Sequence, residues 1–301
     1  MEDRLRKFAK VVEASGFARA ASELHISQPA LSTAVRKLER ELDVELFSRR
    51  KPPLKLTRAG KTAYRYSKEL DSRANNFKSE LARLSHQKPK VSIGMIDSIA
   101  DTLFLYGDYM PQLRKKAELS LSVNNSRVLA RALEKGELDI VLVAQPQSAS
   151  PMLHAVPLGS EPLVAVAAPG HLEEARRSLQ AGRLPKFLSY DKKSNTDHLI
   201  HQYFLSRGIE TDTIFYSTSP EILLRMVLSG EGVAVLPYLL IRDAIKHNSL
   251  LPVAGPIARP IISLEHKDRT SPKALVTLQK HVQQLLTNLS TEADQLFSGR
   301  K

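Results

Sequence analysis

The run Gln28-Pro29-Ala30-Leu31-Ser32-Thr33-Ala34-Val35-Arg36 sets residues able to read bases at helical spacing. Leu31, Val35 and Leu38 fall on one face of such a helix, so Gln28, Pro29, Ser32, Thr33 and Arg36 face outward. Gln can pair with adenine, Arg with guanine, and Ser or Thr with either base or with phosphate. The same pattern also fits an amphipathic helix with an ordinary polar face. A basic segment follows, in which Arg49, Arg50 and Lys51 suit phosphates or a minor groove.

A second set of polar residues falls where strands give way to helices. Asp97-Ser98, Asn124-Asn125-Ser126, Ser194-Asn195-Thr196 and Ser217-Thr218-Ser219 each follow an apolar stretch. In open α/β sheets, ligands gather beyond the carboxyl ends of strands, at helix N-termini. Each group serves equally well as a plain N-cap. Together they make a polar pocket an expectation, with Ser98, Asn125, Ser126, Ser194 and Ser219 as ligand contacts. A small anionic or polar molecule would suit them, although Asp97 favours an amine or a hydroxyl-rich ligand.

Other chemistry lacks support. The chain has no cysteine, which removes disulfides, thiolate metal sites and cysteine nucleophiles. His198 and His201 lie three apart without a completing ligand, so no metal is expected. Gly230-Glu231-Gly232 precedes its strand, the wrong order for a phosphate loop. No catalytic motif appears, and neither enzymatic activity nor a cofactor is expected.

The elements that must position these residues follow from periodicity. Residues 4–14 and 18–24 read as two short helices. Ser27 caps a third, which runs to Leu42 and ends at Asp43. Leu46–Leu56, interrupted by Pro52-Pro53, reads as a β-wing, and Thr57 caps a long helix reaching about His86. Within that helix Leu70, Ala74, Phe77, Leu81 and Leu84 alternate four and three apart, a short heptad-like seam. Gln87–Lys90 reads as a hinge. From Val91 the pattern becomes α/β. Strands are expected at 91–96, 119–123, 139–144, 163–168, 187–190, 213–216, 233–236 and 260–266. Helices are expected near 98–113, 126–135, 219–229 and 271–289, and the tail after Thr291 carries no signal.

Charge divides the chain in the same way. Residues 1–90 carry 21 Lys/Arg against 11 Asp/Glu, whereas the remainder carries 23 against 21. The excess positive charge belongs to the first third, which implies a polyanion partner for that part alone. The N-terminus has no apolar core of an export signal, and no apolar run approaches a membrane span. A cytoplasmic location without membrane contact is the expectation.

The residues Glu13-Ala14-Ser15-Gly16-Phe17-Ala18-Arg19-Ala20-Ala21, Leu24, Ile26-Ser27-Gln28-Pro29-Ala30-Leu31-Ser32, Leu38-Glu39, Glu41-Leu42, Leu46-Phe47, Arg49, Leu56-Thr57 and Ala59-Gly60 resemble the LysR-type transcriptional regulators. The resemblance implies a winged helix-turn-helix over 1–60 and a dimerising linker helix over 61–88. It also implies a periplasmic-binding-protein-like effector domain over 89–301. Its lobes would comprise about 89–161 with 261–290, and 162–260. Double-stranded promoter DNA, a small-molecule effector, a homodimer or homotetramer and RNA polymerase are the partners so implied. Ser98 and Ser126 match positions at which the family often binds effectors. Two departures stand out. Ser15-Gly16-Phe17-Ala18 replaces the usual Gly-Ser-Phe-Thr, and Asp43 replaces a glycine after the recognition helix.

Overall fold

The computed structural model describes residues 1–48, 54–84, 88–105, 109–146, 150–267 and 273–298. The chain forms two compact units, residues 1–85 and 86–301.

In the first unit, α1 (Glu2–Glu13), α2 (Phe17–Glu23) and α3 (Gln28–Leu42) precede a two-stranded antiparallel ribbon, β1 (Phe47–Ser48) and β2 (Lys55–Leu56). The long helix α4 (Arg58–Leu84) follows. Phe8, Val11, Leu31, Val35, Leu38 and Leu46 are buried together, and Phe47 packs its ring against Phe8 and Phe17. Burial stabilises by about 1.5–3 kcal/mol for each large side chain, enough to hold three short helices that are marginal alone. Buried Ala20 and Ala21 let α2 approach its neighbours closely.

Local chemistry sets the boundaries of these helices. The Ser27 hydroxyl accepts from the Ala30 N–H, and Pro29 sits in the first turn. Asp43 ends α3 at φ 52°, the left-handed conformation that a glycine would adopt more easily. The Thr57 hydroxyl accepts from Gly60 N–H at 2.9 Å and donates to Glu45 C=O at 2.6 Å. A Cβ on Gly60 would lie 2.0 Å from the Leu46 carbonyl oxygen, so only glycine fits there. Lys68 on α4 pairs with Glu13 at the end of α1, with both side chains largely buried.

The second unit is one eight-stranded sheet with helices on its faces. Its strands are β3 (Lys90–Met95), β4 (Glu118–Val123), β5 (Ile140–Ala144), β6 (Leu153–Ala167), β7 (Arg183–Tyr190), β8 (Glu210–Ser217), β9 (Val233–Pro237) and β10 (Leu251–His266). Their spatial order is β4-β3-β5-β10-β6-β9-β7-β8. Parallel βα units flank the long antiparallel pair β6–β10. The helices are α5 (Asp97–Leu105), α6 (Tyr109–Lys116), α7 (Ser126–Glu134), α8 (Leu172–Gln180), α9 (Asn195–Leu205), α10 (Pro220–Leu228), α11 (Tyr238–Lys246) and α12 (Lys273–Ser298).

Two apolar cores share this sheet. One gathers Ile93, Leu113, Leu129, Val141, Leu158 and Leu264, and the other Leu163, Phe187, Phe204, Leu223, Val235 and Ile257. β6, β10 and α12 contribute to both. The sheet thus has two lobes, and these three elements cross between them.

The structure corrects several sequence boundaries. The strands expected at 163–168 and 260–266 are the ends of β6 and β10, which run 15 and 16 residues. Pro157, Pro162, Pro252, Pro256 and Pro260 interrupt their patterns. β-bulges between Pro252 and Ala254 and between Ala254 and Ile257 absorb part of the irregularity. Of the helix expected over 98–113, the described residues hold α5 and α6, and residues 106–108 lie outside them. Helices α8 and α11 were not expected at all. The final helix continues beyond Leu289 to Ser298, with Ala293 fully buried, so the described residues after Thr291 are helical.

Candidate functional site

The outward face of α3 is open. Gln28, Pro29, Thr33 and Arg36 are exposed and Ser32 is half-buried, while Leu31, Val35 and Leu38 lie in the core. The first turn is held by the Ser27 cap, so Gln28 and Pro29 project from a defined backbone. Arg49, Arg50 and Lys51 lie outside the described residues. The Ser15-Gly16-Phe17-Ala18 departure has a local consequence: Gly16 opens α2, and no side chain caps that helix.

In the second unit a cavity of about 260 Å³ lies between the lobes. The first lobe lines it with Asp97, Ser98, Asn125, Ser126 and Arg127. The second supplies Tyr190, Lys193, Ser194, Thr196 and Ser217. The N-terminal turns of α5, α7, α9 and α10 all meet there. Asn125 caps α7 by accepting from Val128 N–H at 3.0 Å, and Ser194 caps α9 by accepting from Asp197 N–H at 2.9 Å.

Arg259, on β10, lies on the cavity wall and holds the lobes together. Its Nε and Nη2 donate to Glu161, its cross-strand neighbour on β6. Nη2 also donates to Ser98 Oγ at 2.9 Å, and Nη1 to Thr196 Oγ1 at 2.9 Å. One guanidinium therefore bonds the first turn of α5 in one lobe and of α9 in the other. Burial works against its charge, but Glu161, Tyr190 and Asp97 together outweigh this and hold its pKa above the usual arginine value. A second bridge spans the cavity, where Arg127 Nη2 donates to the Lys193 carbonyl at 3.1 Å.

The Asp97 carboxyl is held above the usual carboxylate range by burial first and by the Glu221 charge second, with Arg259 opposing. Asp101 is raised likewise, by burial and then by Glu221, Asp97 and Glu161. Tyr190 lines this cavity, and its buried hydroxyl has no hydrogen-bond partner among the described residues. Burial raises its pKa far above the usual phenol value.

Comparison with known proteins bears on both units. The family description "Bacterial regulatory helix-turn-helix protein, lysR family" matches residues 3–61. The description "LysR substrate binding domain" matches residues 85–287. The chain belongs to the LysR family.

It is similar to the RuBisCO operon transcriptional regulator of Allochromatium vinosum, with 29% identity over 240 residues, 77% of this chain and 78% of that protein. It is similar to the dual regulator OxyR of Escherichia coli K12, with 28% identity over 277 residues, 87% of this chain and 88% of that one. Among solved structures, ArgP of Mycobacterium tuberculosis shares the fold at a TM-score of 0.65 and 21% identity, covering 95% of this chain and 97% of that one.

As a LysR-type transcriptional regulator, the protein binds DNA through its helix-turn-helix and carries an effector-binding domain; the family consists of regulators, not enzymes. Among the described residues no helix is long and apolar enough to cross a membrane.

The LysR effector domain brings four of the five expected contacts to one cavity: Ser98, Asn125, Ser126 and Ser194 line it. Ser219 does not. Its hydroxyl caps α10 at Ile222 N–H and bonds Glu221, while Ser217, Thr218 and Pro220 take the wall. Ser98 is buried and committed to Arg259 and Glu161, so it positions the guanidinium. Sequence reasoning missed Arg259, Glu161 and Tyr190. A signal existed: Glu161 and Arg259 are charges set inside apolar strand sequence, where an unpaired charge is costly. His201 bonds Thr211 and Asp197, and no group of three potential ligands among the described residues is placed for a metal.

Proposed function

We propose that Gln28, Pro29, Ser32, Thr33 and Arg36 read base edges of promoter DNA in the major groove, with Arg49 and Arg50 on the adjoining wing. Residues 1–60 form the reading unit, 61–88 the pairing helix and 89–301 the sensor. The effector occupies the cavity between the lobes, held by Asn125, Ser126 and Ser194, with Ser98 acting through Arg259. Pairing of α4 helices makes a homodimer, and two dimers a homotetramer, working on cytoplasmic promoter DNA and in contact with RNA polymerase.

One observation carries this reading. Arg259 bonds the helix N-termini of both lobes at the wall of a cavity to which each lobe brings small polar side chains. A ligand there changes the bonds that fix the lobes, and so biases their closure. The absence of cysteine removes thiol oxidation as the signal.

The DNA half is tested by gel shift with Arg36→Ala and Gln28→Ala. Each variant should lose about 1–3 kcal/mol of discrimination between operator and unrelated duplex. Full discrimination in both would place recognition elsewhere.

A further inference from the structure

The two ends of the cavity differ in charge, and the difference specifies a ligand. At the α5 end, Asp97 lines the wall, and among the described residues no hydrogen bond or ion pair closes on its carboxylate. Glu221 and Arg259 act on it electrostatically, and Asp101 interacts with Asp97, Glu221 and Glu161. Against these four acids stands Arg259, whose hydrogen bonds already go to Glu161, Ser98 and Thr196. The Tyr190 hydroxyl stands at the same end. It is 7% exposed and, among the described residues, without a partner, an arrangement that is costly unless something enters to bond it.

At the other end, the first turns of α7 and α9 come from opposite lobes. Their caps occupy the N–H groups of Val128 and Asp197. The N–H groups of Ser126, Arg127, Asn195 and Thr196 belong to the first turns and have no partner within their helices. Arg127 and Lys193 add two cations to that wall, against one carboxylate, Asp191, which already accepts from the Lys193 N–H at 2.8 Å. An anion is favoured there by the N–H groups, the helix dipoles and these side chains together. It is disfavoured at the Asp97 end by the surrounding carboxylates.

We propose that the effector is a small zwitterion, such as an amino acid. Its ammonium bonds Asp97 and the Tyr190 hydroxyl, and its carboxylate lies at the first turns of α7 and α9. The inference rests on the cavity being the effector site. A dicarboxylate would force its second anion among Asp97, Asp101 and Glu221. A plain monocarboxylate would leave Asp97 and Tyr190 desolvated with nothing to bond.

Calorimetry and thermal shift on the full chain test this with the proteinogenic L-amino acids. Matched acids lacking the amine (propionate, succinate, 3-phenylpropionate) and matched amines lacking the carboxylate (ethylamine, phenethylamine, cadaverine) complete the panel. At least one amino acid should bind, with the acid lacking its amine and the amine lacking its carboxylate, added to the panel for that side chain where needed, each about tenfold weaker or more. Asp97→Asn should weaken the amino acid by a similar factor and leave the deaminated acid unchanged. Tyr190→Phe, which keeps the ring in place, should weaken the amino acid to a lesser extent. Equal or tighter binding of an acid lacking the amine, an unaltered amino-acid affinity in Asp97→Asn, or no binding across the panel would overturn the zwitterion. Ser126→Trp, which fills the cavity, separates the two readings. If it abolishes binding of a non-zwitterionic ligand, the cavity stands and the zwitterion falls. If a zwitterion still binds to it, the cavity itself is the wrong site.

Discussion

Arg259 shows how much one residue can do in a two-lobed sensor. It sits directly across from Glu161 in the β6–β10 register and bonds Ser98 and Thr196 from opposite lobes. Breaking a buried pair by removing one partner leaves the other charge stranded, whereas replacing both with apolar groups is often nearly neutral. Arg259→Met should therefore cost about 3–5 kcal/mol in denaturant unfolding. The double variant Arg259→Met with Glu161→Leu should recover most of that and still lose the link between lobes. Equal losses in the single and double variants would mean that the ion pair is not what the single change disturbs. At this scale the sequence was half legible. The polar residues at strand ends could be named because N-cap chemistry is local. Glu161 and Arg259 lie 98 positions apart, and only the strand pairing joins them.

Helices whose ends are set by short-range chemistry were the easiest elements to read. Ser27, Pro29, Asp43 and Thr57 do in the structure what their side chains suggested. The strands were harder. Prolines that normally end a strand are carried in β6 and β10, partly at bulges, so local rules cut both strands short. α12 was misjudged for a different reason: its last turns are apolar only on the face that meets the second core. That face gives a sharp expectation. Leu289→Ala should cost about 2–5 kcal/mol, although it lies on the same helix as Leu285 and Leu286, which serve the first core. Thermal unfolding followed by near-ultraviolet circular dichroism would show it. An effect under about 0.5 kcal/mol, the level of ordinary surface substitutions, would mean that the helix end is not docked in solution.

For the molecule as a whole, charge and length already separated a basic DNA-binding part from a nearly neutral sensor. What the sequence leaves to structure is which surfaces stay open. On α4, Leu70, Phe77 and Leu81 are 41%, 62% and 47% exposed, an apolar stripe with the spacing of a helix seam. The Leu84 side chain lies outside the described residues. We expect this stripe to pair with a second copy. Phe77→Glu with Leu81→Lys should then convert the protein to monomers in light scattering and weaken operator binding by well over tenfold, since one headpiece holds only a half-site. An unchanged mass would show that the copies meet elsewhere.

The path of β6 and β10 through both lobes bears on how a new chain is made. Lobe one begins at β3 but lacks its inner strand until β10 arrives, and both cores await α12. The helix-turn-helix is complete by the end of α4, roughly 200 residues earlier. At roughly 5–20 residues per second, that is about 10–40 seconds of synthesis. During this interval each ribosome carries a finished DNA-binding unit whose sensor has no closed core. A newly made regulator thus completes its DNA-reading headpiece before the sensor that is to control it.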